Sequence, residues 1–402
     1  MTDVDLQDLA LFTQARDAEA FAWLREHEPL AWSEERDGGP GFWSVTRHED
    51  VRAVATDAET FSSAQGTQLA SRKAEGEGRA SMHNSDAPRH LQLRKIVTPH
   101  FRPTRVAALR PRVEQVVDDL LDRIEPGAEV DLVRSVSADL PLLVFGEMLG
   151  VPAADGALLL DWTNASSSLD PEYAAGPEAA EVARDELFAY FRALESQRRD
   201  DPRDDLISVI AQARIDDRPL TRDELDPYYL LLTVAGNETT RNLISGGLHL
   251  LANDPDAWRR LRDDPTRIAL AVEEMLRLVS PVLHMRRTAT RHVEMHGRTI
   301  RAGDKVVLWF AAANRDPRVF AEPEEFRPER SPNDHLGFGW GAHACLGAHL
   351  ARLEMQVLLE RIAARDLVMR PLDEPERLQS NFFRGIKRLR VAWDRPAVTA
   401  GA

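Results

Sequence analysis

Residues 338–347 read FGWGAHACLG and contain three glycines and the single cysteine of the chain, Cys345. Glycines at this density beside a helical pattern predict unusual backbone angles, or a flat group held against the main chain. The start of the following helix favours a thiolate at Cys345 by only about 0.3–1 kcal/mol. Because an unperturbed thiol has a pKa of about 8.5, this effect alone does not ionise the sulfur at neutral pH, whereas metal coordination does. The stretch therefore predicts a metal-bound cysteine.

Two other interpretations of Cys345 remain open on these residues alone. A lone cysteine is commonly a small, buried, apolar residue. It can also be a catalytic nucleophile, although no histidine with an Asn or Asp partner stands out in the sequence to activate it. One cysteine in 402 residues excludes an internal disulfide and a zinc site built from several cysteines.

The composition limits the classes of function. With 51 basic and 66 acidic side chains the net charge is −15, which argues against a nucleic acid as partner. A hydrophobic fraction of 43% supplies a large core and argues against wholesale disorder. The acidic start and the lack of an apolar run of about 20 residues give no sign of a signal peptide or membrane anchor. We expect a cytoplasmic protein.

Helical patterns dominate the rest of the sequence. Apolar residues at helical spacing predict helices at 106–124, at about 230–251, at 269–277 and at 350–362. Thr221 and Glu224 have the spacing of a capping box, but Pro227 predicts that the long second helix starts one turn later or bends there.

Strand patterns are short. Alternating runs at 31–35 and 42–46 predict a hairpin, as do the runs at 293–300 and 305–310. Residues 62–85 predict a long loop, and residues 386–393 predict terminal strands. We therefore expect a mainly α fold with small β-sheets. We expect one domain, 1–402, whose β-rich parts are mainly 30–60, 290–312 and 380–395.

The pattern Phe338-Gly339-x-Gly341-x-His343-x-Cys345-x-Gly347 resembles the haem-binding loop of the cytochrome P-450 family, with every defining position filled. The resemblance spans nearly the whole chain and is closest to the soluble bacterial, actinobacterial-type branch. It implies the cytochrome P-450 fold, with haem b between the long central helix and the helix after the cysteine. It also implies that Cys345 is the thiolate ligand of the iron, an arrangement that favours O–O cleavage. By the same resemblance, Phe338, His343 and Gly347 are expected to be the other haem contacts of this loop.

The long helix contains a second motif, Ala235-Gly236-Asn237-Glu238-Thr239-Thr240. Glutamate and threonine inside an apolar helix are costly unless they form hydrogen bonds. The motif is similar to the oxygen-activation segment of the family. By that resemblance Ala235 contacts the haem, and Glu238 and Thr239 are the acid and the hydroxyl that relay protons. On the residues alone, a polar patch packed against a neighbouring helix is the alternative.

Glu274-x-x-Arg277 resembles the family's buried charge pair, which Arg330 of a Pro-rich segment completes in a structural role. Without Arg330 the pair would be an ordinary solvated pair on a helix surface. The two haem propionates require cationic or hydrogen-bonding partners. At the family's positions these are His90, Arg94, Arg287 and His343.

The resemblance also places a substrate pocket above the haem. Its candidate residues are Gln65, Val234, Val282, Leu283, His284, Phe382 and Phe383. This mostly apolar set fits a medium-sized hydrophobic substrate with a few hydrogen-bonding groups. Candidate substrates are terpenoids, steroids, polyketides and cyclic dipeptides.

The expected function is hydroxylation or epoxidation of a hydrophobic small molecule, such as a natural product, with O2. The resemblance implies that a ferredoxin and its reductase supply the electrons. Oxidative coupling of aromatic substrates without oxygen insertion is an alternative that the same motifs allow. A haem-binding sensor or carrier is a third possibility, against which the Glu238–Thr239 pair argues, because passive binding requires no proton relay.

Overall fold

The computed structural model describes residues 4–36, 38–69, 81–167, 170–173 and 176–395. Their α-helices are α1 (Leu9–Thr13), α2 (Asp17–His27), α3 (His48–Thr56), α4 (Arg89–Val97), α5 (Pro103–Ala107), α6 (Arg110–Leu121), α7 (Asp139–Leu149), α8 (Gly156–Ser167), α9 (Pro177–Asp200), α10 (Leu206–Gln212), α11 (Arg222–Asn253), α12 (Pro255–Asp263), α13 (Ile268–Val279), α14 (Phe310–Ala313) and α15 (Ala348–Ala364). Their strands are β1 (Leu30–Ser33), β2 (Phe42–Val45), β3 (Phe61–Ser62), β4 (Ala128–Asp131), β5 (Arg214–Ile215), β6 (Arg218–Pro219), β7 (His284–Ala289), β8 (Val293–Met295), β9 (Arg298–Ile300), β10 (Lys305–Trp309), β11 (Val368–Pro371), β12 (Glu376–Arg377), β13 (Ile386–Arg388) and β14 (Arg390–Asp394). The mainly α fold with small sheets is confirmed.

The long helix α11 is the centre of the core. It packs against α7, α8, α9 and α13. The backbone N–H of Thr221 donates to the Glu224 carboxylate at 2.7 Å, which forms the predicted capping box. Pro227 lies inside the helix. The expected later start is therefore wrong, because the cap stabilises the first turn despite the proline.

The main sheet has the order β1-β2-β10-β7-β3, and β2 and β10 are its parallel pair. The predicted hairpin of β1 and β2 is confirmed, with Leu30 opposite Val45. The predicted pairing of 293–300 with 305–310 is wrong, because β8 pairs with β9 and β10 pairs with β7 and β2. His296 and Gly297 both have positive φ, 50° and 70°, as a two-residue hairpin turn requires.

Other boundaries also differ from the expected ones. The helix predicted at 106–124 is two helices, α5 and α6, and Pro111 lies in the first turn of the second. A proline inside a helix disfavours its continuation, because the ring clashes with the carbonyl four residues earlier, and here the helix breaks just before Arg110. The strands β4 and β11 pair with β14 and lie outside the expected β-rich ranges. Part of the predicted loop at 62–85, residues 70–80, lies outside the described residues.

The length and apolar character of the described helices decide whether one of them could cross a membrane. None of them combines the length and the apolar character that crossing a bilayer requires.

Candidate active site

A cavity of about 240 Å³ lies between α11 and the segment 337–347 that precedes α15. Residues of the strand β7 and of the helices α4, α7, α13, α14 and α15 also line it. The predicted residues that line it are His90, Arg94, Ala235, Thr239, Val282, Arg287, Phe338, His343, Cys345 and Gly347. The fold therefore brings all eight of the predicted haem-contacting residues to one cavity.

The loop that carries Cys345 is shaped by its glycines. Gly341 has a φ of 74°, and a Cβ atom added there would lie 2.4 Å from the carbonyl oxygen of Ala55. Any other residue at this position would push the loop away from α3. The backbone N–H of Cys345 donates to the Phe338 carbonyl at 2.8 Å, which closes the loop and exposes the side chain of Cys345 to the cavity.

The sulfur of Cys345 is suited to a metal that belongs to a larger cofactor. Although Cys345 faces the cavity, the protein around its sulfur desolvates it and raises the pKa of the thiol, while the Gly347 backbone N–H, Arg94 and Arg352 lower it in part. A thiol in this environment loses its proton readily only when a metal ion binds the sulfur. Among the described residues no group of three or more His, Cys, Asp or Glu side chains could hold a metal ion. A single protein ligand beside a large cavity fits a haem iron.

Two arginines give the cavity a cationic edge. Arg94 donates to the Ala344 carbonyl at 2.7 Å, and Arg287 donates to the Arg286 carbonyl at 2.8 Å. Within the described ranges neither arginine forms an ion pair with a carboxylate. Burial lowers the pKa of Arg287 to about 10, with Asp86 acting weakly in the opposite direction. Two such cations call for an anionic ligand, and the haem propionates fit this requirement.

Two histidines lie at the same edge. The rings of His90 and His343 stack with centroids 3.9 Å apart, and the Ser63 hydroxyl lies 3.3 Å from His343 Nε2. Burial lowers the pKa of both imidazoles, and Arg287 lowers that of His343 further, to about 3. The lowered pKa favours the neutral form of each ring, which can donate one N–H.

Sequence reasoning missed His83, which also lines this edge of the cavity. Its Nδ1 atom lies 2.6 Å from the Ser81 hydroxyl, and burial lowers the pKa of the imidazole to about 4. His83 lies in the segment 62–85, which has no periodicity, so no sequence signal distinguished it from other loop residues.

Thr239 and Glu238 occupy different sides of α11. The Thr239 hydroxyl donates to the Ala235 carbonyl at 2.9 Å at the cavity wall. Glu238 is buried and does not line the cavity, and it accepts hydrogen bonds from Arg241 at 2.6 Å and Asn242 at 3.3 Å. Consecutive residues of a helix differ by about 100° in direction, which explains the separation. The relay role of Glu238 and Thr239 stays a prediction, and the spacing of Arg241, three residues after Glu238, was the available signal for the partner of this carboxylate.

The acid–base pair of α13 is buried and contacts Arg330. Arg277 donates to Glu274 at 2.8 Å, and Arg330 donates to Glu274 at 3.0 Å. Arg277 also donates to the carbonyls of Asn314 and Pro323. A surface pair is excluded, because Glu274 and Arg277 are fully buried.

Six of the seven predicted substrate residues do not line the cavity. They are Gln65, Val234, Leu283, His284, Phe382 and Phe383. On β7, Met285 and Arg287 face the cavity, and His284 faces the opposite side, where its ring bonds to the Asn381 carbonyl at 2.9 Å and the Leu69 N–H at 3.2 Å. Strand residues alternate in direction, so an error of one position moves a side chain to the other face.

The other wrong predictions of pocket residues have local explanations. Ala235, and not Val234, faces the cavity from α11. Leu283 and Phe383 line a separate small cavity with Phe12, and Gln65 is exposed, its carbonyl accepting from Arg286. The lining residues that sequence reasoning missed include Thr67, Met82, Phe101, Phe145, Leu231, Leu232, Leu243 and Met285.

Known proteins resemble this chain in sequence and in fold. Residues 169–389 match the sequence model of the family Cytochrome P450. Linalool 8-monooxygenase of Pseudomonas putida is 38% identical over 400 residues, which cover 96% of this chain and 98% of that protein. The methyl-branched lipid omega-hydroxylase of Mycobacterium tuberculosis strain H37Rv is 39% identical over 98% of this chain and 95% of its own length. A Mycobacterium marinum cytochrome P450 solved in complex with pseudoionone has a TM-score of 0.91 and 33% identity, with 97% of each chain covered.

Proposed function

Because the chain belongs to the cytochrome P450 family and is a haem-containing monooxygenase, we propose that it hydroxylates or epoxidises a neutral, methyl-branched hydrophobic molecule. The family requires O2 and electrons from a donor protein. The class of the substrate, its role as a natural product and the identity of the electron donor all belong to this proposal.

The apolar wall of the cavity carries this proposal. The side chains that line it include Leu231 and Leu232 of α11, Met285 of β7, Phe145 of α7, and Val282, which precedes β7. No Asp or Glu of the described ranges lines the cavity, and its cations lie at the edge assigned to the propionates. Burying a charged substrate group without a partner would be costly, so a neutral molecule is favoured. The relatives named above act on linalool and methyl-branched lipids, and pseudoionone is also methyl-branched.

The residues of the chain have separate tasks in this proposal. Cys345 would hold the iron, and Arg94, Arg287, His90 and His343 would bind the propionates. The bound haem supplies the activation of O2. Thr239 holds a hydroxyl proton at the cavity wall, and Glu238 is a buried carboxylate on the neighbouring side of α11. Delivery of protons from Glu238 would require that its carboxylate leave Arg241.

A binding screen followed by turnover tests the proposal. Oxidised protein is titrated with methyl-branched alcohols, ketones and hydrocarbons, with flat polycyclic and carboxylate-bearing molecules as comparison sets, and the change of haem spin state is recorded. We expect the methyl-branched set to give the response. Turnover with a ferredoxin and its reductase should then give a product one oxygen atom heavier than the substrate.

Product mass also separates the alternatives. Two substrates joined with loss of hydrogen would establish oxidative coupling and contradict oxygen insertion. A response confined to carboxylate-bearing molecules would contradict the proposed substrate class. Haem reduction without any product from a bound substrate would favour a sensor or carrier.

A further inference from the structure

Thr67 lies on the wall of the cavity, beside β7. Its carbonyl accepts the backbone N–H of Arg286 at 2.7 Å, which fixes the main chain of this residue to the strand. Gly66, with a φ of 103°, makes the turn that brings Thr67 to this position. Thr67 is only 2% exposed, and it lines the cavity together with Met285 and Arg287 of the same strand.

The hydroxyl of Thr67 has no hydrogen-bond partner among the described residues. In that part of the chain several buried side-chain polar atoms lack a partner, and Thr67 is the residue among them that lines the cavity. The hydroxyl of Thr239, by contrast, is already bonded to the Ala235 carbonyl. A buried hydroxyl without a partner is unfavourable, so a ligand that offers an acceptor gains free energy at this position.

The side chain can present its hydroxyl to a ligand without movement of the backbone. Rotation about χ1 from one staggered rotamer to another can bring the hydroxyl of a threonine to the position that its methyl group occupied. No described carboxylate lines the cavity, so a substrate oxygen would meet no competing carboxylate for the Thr67 proton.

We propose that Thr67 donates a hydrogen bond to an oxygen atom of the substrate, and thereby selects neutral methyl-branched alcohols and ketones over the corresponding hydrocarbons. The inference rests on the proposed function and adds a specificity-determining residue and an oxygen functional group to it. The oxygen atom that Thr67 recognises and the carbon atom that is oxidised are at different positions in the substrate.

The experiment compares two probes that differ by one hydroxyl group. They are linalool and the hydrocarbon that has hydrogen in place of the linalool hydroxyl. Dissociation constants are measured on the haem-loaded protein from the spin-state change. A neutral hydrogen bond predicts that the wild type binds linalool about tenfold more tightly, which corresponds to about 1.4 kcal/mol.

Three variants assign the preference to Thr67. Thr67→Val keeps the shape and removes the hydroxyl, and we expect the two dissociation constants to become equal, mainly through weaker binding of linalool. Thr67→Ser keeps a hydroxyl and should retain most of the preference. Thr288→Val is the matched control, because Thr288 of β7 is also a buried threonine with an unpartnered hydroxyl but does not line the cavity. Its ratio of dissociation constants should equal that of the wild type.

The outcomes separate this inference from the proposed function. Equal affinity of the wild type for both probes, or an unchanged preference in Thr67→Val, overturns the role of Thr67 and leaves the methyl-branched substrate class standing. A wild type that responds to neither probe, while other molecular classes do cause a response, contradicts the substrate class and the inference with it.

Discussion

Thr239 is the residue whose surroundings most directly predict a catalytic effect. Its hydroxyl donates to Ala235 at the cavity wall, whereas the neighbouring carboxylate of Glu238 is held by Arg241. A positioned proton donor contributes about 10²–10⁴-fold to a rate. In Thr239→Ala we therefore expect haem to remain bound while hydrogen peroxide replaces product as the main outcome of electron use. Product, peroxide and consumed electrons are measured together.

Thr233→Ala is the matched control for this change. The Thr233 hydroxyl forms the same type of bond, to the Tyr229 carbonyl at 2.8 Å, but the residue does not line the cavity. Its ratio of product to peroxide should equal that of the wild type. An unchanged ratio in Thr239→Ala would contradict a proton-relay role.

At the residue scale, motifs with fixed spacing were predictable and pocket residues were not. Cys345 and Thr239 lie in patterns whose chemistry is visible in the sequence, and both line the cavity. His284 was predicted to line the pocket, but its neighbour Met285 does so. The sequence of a strand that is buried on both faces does not show which face meets a cavity. The partner of Glu238 was missed because acid–base spacing of three residues is common on helices.

At the scale of elements, Glu273 connects α13 to α15. Its carboxylate accepts from Arg352 at 2.6 and 2.7 Å and lies 3.0 Å from His335. Burial raises the pKa of Glu273, but the bonds from Arg352 and His335 outweigh this effect and lower the pKa to about 2. The lowering from 4.5 corresponds to roughly 3 kcal/mol of stability, present above pH 4.5 and lost as the pH falls toward 2.

Glu273→Gln should accordingly lower the free energy of unfolding by about 3 kcal/mol at pH 7 and by about half as much at pH 3. Urea unfolding at both pH values measures this difference. Glu360→Gln is the control, because the Arg110–Glu360 pair is more than a third exposed and should contribute at most about 1 kcal/mol. A Glu273→Gln difference that does not decrease with pH would contradict the ion pair as its source.

Elements with strong local signals were predictable from the sequence, and their pairing was not. The capping box and apolar run gave α11, and the spacing of apolar residues gave α13 and α15. The hairpin turn at His296–Gly297 was missed because the later turn at 301–304 has the stronger composition of glycine and aspartate. The strand β10 pairs with β2, which lies more than 250 residues earlier in the chain. The local sequence pattern contains no information on such a distant pairing.

At the scale of the whole molecule, the buried charges around Glu274 join α13 to the segment before the cysteine loop. Arg330→Gln removes one of the two cations that contact this carboxylate. Breaking a buried ion pair costs about 3–5 kcal/mol, so we expect a loss of that size together with faster release of haem. Unfolding in urea and transfer of haem to an acceptor protein measure the two effects.

Arg327→Gln is the control in the same segment. Arg327 pairs with Glu322 through side chains that are each about half exposed, and its contact with Glu274 is made by the backbone. We expect at most about 1 kcal/mol and no change in haem release. Equal effects of the two substitutions would contradict a structural role specific to Arg330.

The bond between Cys345 and the haem iron is tested most directly by the absorption spectrum of the reduced protein under carbon monoxide. The wild type should show the strongly red-shifted main band that is typical of thiolate-ligated haem. In Cys345→Ala that band should be absent, and in Cys345→His any haem that remains bound should show an imidazole-type spectrum. Persistence of the red-shifted band in either variant would show that another residue holds the iron and would contradict the account of this site.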